Sequence, residues 1–379
     1  MAGARIATRE MIERLVAFDT TSRNSNLALI DFIRDYLDGH GIASELVFDD
    51  SGIKANLYAT VGPAGIGGVM LSGHTDVVPV DGQDWHTDPF AIVERDGRLY
   101  GRGSADMKGF IAIALALLPE LIEARPKTPI HLSLSYDEEV GCLGVRGLIA
   151  KLAGRADKPR LCIVGEPTEM RVATGHKGKR SVRCDVRGFE VHSSLTHLGV
   201  NAVEAASELV AQLKAMARRR RAEGPFDPAY EPPYTTIHTG VIQGGTALNI
   251  VPKDCRFDFE CRLLPGDRAE PILQELRDFA AARVVPEMRA VRPETGVSFS
   301  EISGFPALST PDDAEVTRLA LMLSGGNSTG KVAFGTEGGL FSEAGIPAIV
   351  CGPGSIEQAH KPDEFVALDQ IARCEDCLT

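Results

Sequence analysis

Residues 69–79 read Val-Met-Leu-Ser-Gly-His-Thr-Asp-Val-Val-Pro. The short apolar run that opens this stretch, bounded by Gly and later by Pro, is typical of a buried β-strand. His74 and Asp76 stand where that strand ends. In open α/β sheets, ligands bind in the crevice outside the carboxyl ends of the strands. The stretch therefore predicts a sheet and, at one edge of it, a functional site.

The sequence around this strand alternates predicted strands with predicted helices. Further strands are predicted at 45–48, 56–61, 130–136 and 161–164, and helices at 10–18, 27–37, 108–124 and 145–152. Asp96-Gly97 predicts a hairpin turn between short strands at 90–93 and 98–100. This alternation indicates an α/β domain with a mostly parallel sheet and flanking helices.

The pattern changes near Gly175. Strands are predicted at 181–187, 235–243, 256–263 and 296–302, with helices at 202–217 and 271–283. The order β-α-β-β-α-β is typical of a ferredoxin-like α+β unit. A chain of 379 residues is expected to form two domains. We therefore predict a larger domain made of residues 1–175 and 301–379, interrupted by an inserted α+β domain at 176–300.

Acidic residues and histidines gather where predicted strands end. Six of them follow predicted strands: His74, Asp76, Asp137, Glu138, Glu139 and Glu166. Asp106 and His360 lie in loops that can reach the same edge of the sheet. Carboxylates crowded into one crevice repel one another unless a cation lies between them. Imidazole and carboxylate ligands without cysteine suit Zn²⁺, with Co²⁺ or Mn²⁺ as substitutes.

The triplet His74-Thr75-Asp76 has two interpretations. Residues two apart on an extended strand end point to the same side, so Asp76 could bond the imidazole nitrogen that does not bind metal. A loop histidine beside a solvated aspartate is the plainer interpretation of the triplet alone.

Five segments together resemble the M20 family of peptidases and deacylases. They stand in the family's order and cover nearly the whole chain: Ser72–Pro79, Gly101–Gly109, Asp137–Gly141, Gly165–Thr168 and Ala359–Phe365. The resemblance implies a zinc-peptidase catalytic domain. It also implies that the inserted domain is a lid through which two copies form a homodimer.

The same resemblance implies two Zn²⁺ ions and their ligands. His74, Asp106 and Glu166 would hold one ion. Asp106, Glu139 and His360 would hold the other, so that Asp106 bridges the pair.

The resemblance also implies catalytic roles. Glu138 would be the acid/base and, being adjacent to Glu139 on a strand end, would point away from the metals. Asp76 would orient His74. His192 matches a lid histidine that reaches the site of the partner subunit. Without the resemblance, His192 would be an ordinary surface residue.

Four further segments resemble the acetylornithine deacetylase branch of the family. They are His176–Gly178, His192–Ser194 with Gly199–Ala202, Gly240–Pro252 and Gly335–Gly339. They imply a small N-acyl amino acid as substrate, namely N-acetyl-L-ornithine, hydrolysed to ornithine and acetate in arginine biosynthesis. A succinyl-diaminopimelate desuccinylase, or a related aminoacylase or dipeptidase, is the alternative.

Substrate contacts are implied at five positions. Asn249 and Arg262 match lid positions, and Arg262 could bind the substrate α-carboxylate as a fork. A strand arginine on the solvent face is the alternative for Arg262. The other three positions are Gly335, Thr336 and Glu337. Glu337 could face a side-chain ammonium, although a carboxylate at a helix N-terminus is equally ordinary.

Composition excludes several classes of partner. The net charge of -12 argues against nucleic acid or an anionic membrane as a partner.

Residues 1–11 contain no apolar leader region, so a cytoplasmic location is expected. The eight scattered cysteines are expected to be reduced thiols. Cys374 and Cys377 form a lone C-x-x-C, which is weak evidence for a metal.

Two other functional classes have some support. Gly325–Lys331 fits the G-x-x-x-x-G-K pattern of nucleotide-binding loops. However, Val332 replaces the required Ser or Thr, and the segment precedes a strand instead of a helix. A binding protein that has lost its activity is the second alternative, and the presence of every ligand position and Glu138 argues against it.

Overall fold

The structure, a computed structural model, describes residues 5–379 in two compact units. Residues 1–4, the start of the segment inspected for a leader, lie outside the described residues. Unit 1 comprises the chain through His176 together with Leu308–Thr379, and unit 2 comprises Lys177–Ala307. The second boundary falls later than residue 300 because the last strand of unit 2 continues to Phe305.

The elements are numbered in chain order. The strands are β1 (Ser44–Phe48), β2 (Ala55–Val61), β3 (Val69–His74), β4 (Val93–Arg95), β5 (Arg98–Tyr100), β6 (Ile130–Ser135), β7 (Leu161–Val164), β8 (Ala173–His176), β9 (Gly178–Arg187), β10 (Thr236–Gly244), β11 (Asp254–Leu263), β12 (Gly296–Phe305), β13 (Leu308–Ser309), β14 (Gly330–Val332), β15 (Ala348–Val350) and β16 (Phe365–Ala367). The α-helices are α1 (Thr8–Val16), α2 (Leu27–Gly39), α3 (Lys108–Ala116), α4 (Leu118–Ala124), α5 (Val145–Ala153), α6 (Ala202–Glu223), α7 (Ala269–Phe279), α8 (Val285–Val291), α9 (Glu315–Ser324), α10 (Gly338–Glu343) and α11 (Leu368–Leu378).

The main sheet of unit 1 has the order β1-β2-β6-β3-β7-β15-β8-β13, with β14 beside β8. The central strands β6, β3, β7 and β15 are parallel, which confirms the α/β class. The sheet as a whole is mixed, since β1, β2, β8 and β13 join it antiparallel. The short β1–β2 connection permits only an antiparallel pair.

Helix α3 packs directly on the strands that carry the candidate site. Every residue of α3 is buried. A Cβ at Gly73 would lie 2.9 Å from the Ile111 side chain, and one at Gly165 would lie 2.1 Å from Phe110. Glycine at these two positions therefore allows the close approach of helix and sheet. The loop that precedes α3 is held at the same edge.

The predicted helix 108–124 is two helices. Helix α3 ends before Leu117, and α4 starts with Pro119 in its first turn. Proline lacks an N–H group and is tolerated in the first turn of a helix, so a new helix starts there.

Unit 2 has a four-stranded antiparallel sheet in the order β10-β11-β9-β12. Helices α6 and α7 pack on it around a core of its own. This order confirms the ferredoxin-like prediction. The predicted helix 271–283 ends at Phe279, and a π-helical turn (Ala280–Val284) leads into α8, which has Pro286 in its first turn.

All eight cysteines are free and buried. Cys374 and Cys377 lie on the buried face of α11. Between residues 5 and 379, none of the helices combines the length and the apolar character needed to cross a bilayer.

Candidate metal centre

Adjacent strands deliver the predicted ligands to one edge of the main sheet. His74 ends β3 and lies beside Ser135, which ends β6. Glu138 and Glu139 follow β6, and Glu166 follows β7 on the other side of β3. The apolar runs fix where each strand ends, and the parallel register brings those ends together.

The five predicted ligands converge, with Asp106 between the two histidines. His74 Nε2 lies 3.0 Å from Asp106 Oδ1 and 3.6 Å from Glu166 Oε1. His360 Nε2 lies 3.3 Å from Asp106 Oδ2 and 3.0 Å from Glu139 Oε2. Each carboxylate oxygen of Asp106 therefore faces a different imidazole, as a bridging ligand requires.

Two overlapping groups of side chains have potential ligand atoms within 4.8 Å of one another. One contains His74, Asp106 and Glu139, and the other contains His74, Glu138 and Glu166. The second group includes Glu138, for which the sequence predicted an acid/base role. Asp137 stays apart and pairs with Lys54 Nζ at 2.5 Å.

Burial and mutual repulsion shape the electrostatics of the cluster. Burial, reinforced by the negative charge of Asp106, raises the pKa of Glu139 to about 7 and that of Glu166 well above its ordinary range. Burial also raises the pKa of Glu138 to about 8. For Asp106 burial acts in the same direction, but hydrogen bonds with His360 and His74 outweigh it and lower the pKa.

The cluster fits a pair of divalent cations. Among the described residues, the ion pairs of Asp106, Glu139 and Glu166 are with histidines alone. The nearby Lys108 ammonium donates to the carbonyl of Phe18 at 2.7 Å. Acids whose pKa is raised by burial and repulsion lack compensating charge, which a cation would supply. Oxygen and imidazole ligands without a thiolate suit Zn²⁺, Co²⁺ or Mn²⁺.

Asp76 holds the turn after β6. Its carboxylate accepts from Ser22 Oγ at 2.7 Å and from the backbone N–H groups of Glu138 at 3.1 Å and Glu139 at 3.3 Å. His74 Nδ1 lies 2.9 Å from the main-chain carbonyl of Asp76 and 3.6 Å from its carboxylate. The main chain of Asp76 therefore orients the imidazole more closely than its side chain, which was the predicted partner.

Three of the predicted substrate contacts lie inside unit 1. Gly335 is half-buried, and Thr336 and Glu337 are buried. Thr336 Oγ1 lies 3.1 Å from His176 Nε2, and Glu337 Oε2 accepts from Ser72 Oγ at 3.4 Å. Ser72 is on the strand that carries His74, so Glu337 packs beside the metal cluster. Its contact with substrate stays a prediction.

The remaining predicted residues belong to unit 2. His192 is exposed at the start of a 3₁₀-helix (Ser193–Leu198), and its Nδ1 lies 2.8 Å from Ser194 Oγ. The N–H of Ser193 donates to the carbonyl of Asn249 at 3.0 Å. The structure thus brings His192 and Asn249 together.

Arg262 lies apart from that pair. It is near the end of β11, whereas Asn249 precedes the start of β11 at Asp254. Eight residues of strand, at about 3.3 Å each, separate Asp254 from Arg262 by roughly 26 Å. The Arg262 guanidinium donates through Nε to Glu260 Oε1 at 2.9 Å.

A buried ion pair at this edge was not predicted. Arg102 Nη1 donates to Glu364 Oε2 at 2.6 Å. Both residues stand in the segments that resembled the family. The pair could have been predicted from two facts together. The two residues have opposite charges, and their segments supply predicted ligands to the same cluster.

The nucleotide-loop pattern has a structural role. Gly325 ends α9 in a left-handed conformation, and the segment then enters β14. Lys331 Nζ donates to Thr174 Oγ1 at 2.8 Å. The segment thus joins a helix to a strand, the reverse of a phosphate-binding loop.

Comparison with known proteins identifies similar sequences over nearly the full chain. Residues 70–379 match the model of peptidase family M20/M25/M40. The chain is 39% identical over 385 residues to a protein of Myxococcus xanthus named acetylornithine deacetylase, covering 98% of this chain and 96% of that protein. It is 36% identical over 352 residues to the protein of the same name from Proteus mirabilis, covering 92% and 88%.

Solved structures share the fold at low sequence identity. A metallo-carboxypeptidase of the M20 family from Sulfolobus solfataricus matches with a TM-score of 0.75 at 17% identity, covering 98% of this chain and 97% of that one. A dinuclear metal-binding peptidase of the same family from Bacillus subtilis matches with a TM-score of 0.63 at 15% identity, covering 98% and 96%.

Proposed function

The chain belongs to peptidase family M20/M25/M40, and from this premise we propose that it is a metal-dependent amide hydrolase that converts N-acetyl-L-ornithine to ornithine and acetate. The observation that carries the chemistry is the pair of Asp106 oxygens facing two different histidines. The names of the M. xanthus and P. mirabilis relatives support the substrate.

We assign each ion its own ligands. His74, Asp106 and Glu166 would hold one cation, and Asp106, Glu139 and His360 would hold the other, with Zn²⁺ as the proposed metal in both positions. When bound, such a pair polarises an amide carbonyl and lowers the pKa of a water molecule.

Glu138 moves the proton in this proposal. Its backbone N–H is fixed by Asp76 Oδ1 at 3.1 Å, so its carboxylate stays beside the cluster. The carboxylate accepts a proton from the attacking water and delivers it to the amide nitrogen. The C–N bond then breaks, and the amino acid leaves as the free amine.

Unit 2 supplies most of the remaining groups. His192 stabilises the oxyanion of the tetrahedral intermediate, and Arg262 binds the substrate α-carboxylate. Asn249 adds a contact to the substrate, and Glu337 of unit 1 faces its side-chain ammonium. We propose that unit 2 acts as the lid and forms a homodimer in which each His192 serves the partner subunit's site. The proposed location of the enzyme is the cytoplasm.

A substrate panel tests the reaction. Zinc-loaded protein is assayed for released amine with N-acetyl-L-ornithine, N-succinyl-diaminopimelate and several dipeptides. Fastest turnover of N-acetyl-L-ornithine supports the proposal. Preference for the succinylated substrate or for dipeptides assigns the protein to the corresponding other branch of the family.

The Glu138→Ala variant tests the mechanism. Turnover is expected to fall by at least about 10²-fold, the low end for acid/base catalysis, while metal content stays at the wild-type level. Loss of both metals would show that Glu138 is a ligand and that the assignment is wrong.

Subunit mixing tests the dimer. Inactive Glu138→Ala and His192→Ala proteins are mixed under conditions that exchange subunits. If His192 serves the partner's site, each mixed dimer regains one complete site, and about a quarter of wild-type activity returns after random exchange. No recovery in verified mixed dimers would place His192 in the site of its own subunit.

A further inference from the structure

A buried ion pair joins the loop that carries Asp106 to the loop that carries His360. Arg102 Nη1 lies 2.6 Å from Glu364 Oε2, and the two side chains are 1% and 0% exposed. Arg102 precedes Asp106 by four residues, and Glu364 follows His360 by four. Each member of the pair thus belongs to a loop that supplies a proposed metal ligand.

The Glu364 carboxylate also binds the backbone of the Asp106 loop. Oε2 accepts from the N–H of Gly103 at 3.1 Å, and Oε1 accepts from Ala105 at 2.9 Å and Asp106 at 3.0 Å. With Arg102, the carboxylate has four donors, three of them backbone groups that end at Asp106 itself. One side chain on the opposite loop therefore sets the path of the backbone at Asp106.

A small sheet fixes the roots of the two loops. Strand β5 leads into the Asp106 loop, and β16 follows the His360 loop. They pair antiparallel, with Phe365 opposite Tyr100, and the N–H of Gly101 donates to the carbonyl of Glu364 at 2.9 Å. The ion pair lies directly beyond this sheet, on the side toward the ligands.

Gln83 extends the connection to His360. Its Oε1 accepts from Arg102 Nη2 at 2.7 Å, and its Nε2 donates to the main-chain carbonyl of His360 at 3.0 Å. Trp85 covers the guanidinium, with its ring centroid 5.1 Å from Arg102 Cζ. The His360 side chain is 53% exposed, so its position depends on how its loop is anchored more than on packing.

We propose that Glu364 and Arg102 are positioning residues for the metal centre. Neither is a proposed ligand. Together they hold Asp106 and His360 at the separation that lets the Asp106 carboxylate serve both histidines. This inference rests on the ligand roles given under Proposed function. A buried pair also affects folding when one partner is removed, so the test must measure metal binding directly.

The test measures Co²⁺ binding to metal-free protein. Titration gives the affinity, and the visible absorption of the bound ion reports the geometry of its ligands. Glu364→Gln keeps the size of the side chain but points an amide N–H at groups that are themselves donors. Removing a group that orients metal ligands typically costs about 10–100-fold in metal affinity, and we expect a loss in that range with an altered spectrum. The matched control is Glu315→Gln, which removes the carboxylate of an exposed ion pair with Arg160 in the same unit. Its affinity and spectrum are expected to equal those of wild type.

Gln83→Ala covers the case in which Glu364→Gln fails to fold. Gln83 is only half-buried, so its removal should leave the fold intact while weakening Co²⁺ binding. Wild-type affinity and spectrum in a folded Glu364→Gln protein, or in Gln83→Ala if the first variant is unfolded, would overturn the inference and leave the proposed function standing. A wild-type protein that binds no Co²⁺ would overturn both.

Discussion

The acid cluster of unit 1 and the His192 segment of unit 2 carry proposed catalytic groups in opposite settings. The His74 side chain is 1% exposed and lies between acids that neighbouring strands and loops hold in place. His192 is exposed, and its ring contacts Ser194 within its own turn. The Nε2 atom of His74 contacts residues distant in sequence, whereas the His192 ring contacts an immediate neighbour.

The difference shows what each region can do unaided. The unit 1 cluster has potential ligand atoms within 4.8 Å of one another, so its geometry could hold a cation. The His192 segment presents its imidazole to solvent. Under the proposed function, unit 1 would determine metal binding, whereas unit 2 would act on the bound substrate. Variants in each unit separate the two contributions.

Asp106→Ala should give the largest effect. Both histidines lose their shared carboxylate, so neither cation site keeps three ligands. We expect loss of both metals, measured by elemental analysis after gel filtration, and activity at the level of metal-free protein. Retention of one tightly bound metal would show that Asp106 serves a single ion and would break the bridging interpretation.

His192→Ala should leave the metals in place. Removing one donor to an oxyanion typically lowers kcat by about 10²–10³-fold, and we expect a fall in that range for the metal-loaded variant. Elemental analysis should give wild-type metal content, in contrast to Asp106→Ala. Ser207→Ala on α6 offers a control elsewhere in unit 2. A His192 variant that loses metal would remove the distinction between the two regions.

Asp76→Asn should give an intermediate effect. The carboxylate accepts two backbone N–H groups from the turn that bears Glu138 and Glu139. An amide group satisfies these donors only in part. We expect a loss of about 10–100-fold in metal affinity or in kcat/KM. Ser22→Ala, which removes one donor to the same carboxylate, should cost less. Equal effects of the two variants would contradict the anchoring role of Asp76.

Sequence reasoning found the strand ends because local patterns determine them. The apolar runs that form β3 and β7 stop within a few residues of His74 and Glu166, and the acids follow directly. Asp96-Gly97 likewise forms the predicted turn, with both residues at positive φ. In such places the identity of a few consecutive residues decides the structure.

Features that depend on distant pairing were missed. Arg102 and Glu364 are 262 residues apart in sequence, and their contact leaves no periodic signal in either segment. The predicted helix 271–283 instead ends at Phe279 in a π-helical turn whose Ala280 and Val284 are buried, a packing feature that the local sequence pattern does not show. The contact of the His74 ring with the main-chain carbonyl of Asp76 could not be predicted, because an H-x-D triplet does not show which atoms of the aspartate reach the ring.

The smallest effect concerns His131, a buried histidine of unit 1 that lies outside the acid cluster. Its Nε2 accepts from the N–H of Gly68 at 3.1 Å, and its Nδ1 lies 3.0 Å from Thr60 Oγ1. Burial lowers its pKa to about 4, whereas the unfolded chain keeps the ordinary value. The unfolded state therefore binds the proton first as pH falls. The stability given by the neutral ring is complete above about pH 6.5 and is lost progressively toward pH 4.

His131→Gln isolates this contribution, because glutamine does not titrate in that range. Acids elsewhere titrate in both proteins and cancel in the comparison. The Tm of the wild type should exceed that of the variant by a few degrees at pH 7.5, on the order of 1–2 kcal/mol, and this difference in Tm should disappear or change sign by pH 4.5. A gap that stays constant across this range would mean that His131 is protonated equally in both states. It would then provide no contrast with His74, whose pKa is raised because hydrogen bonds with Asp106 and Asp76 outweigh burial.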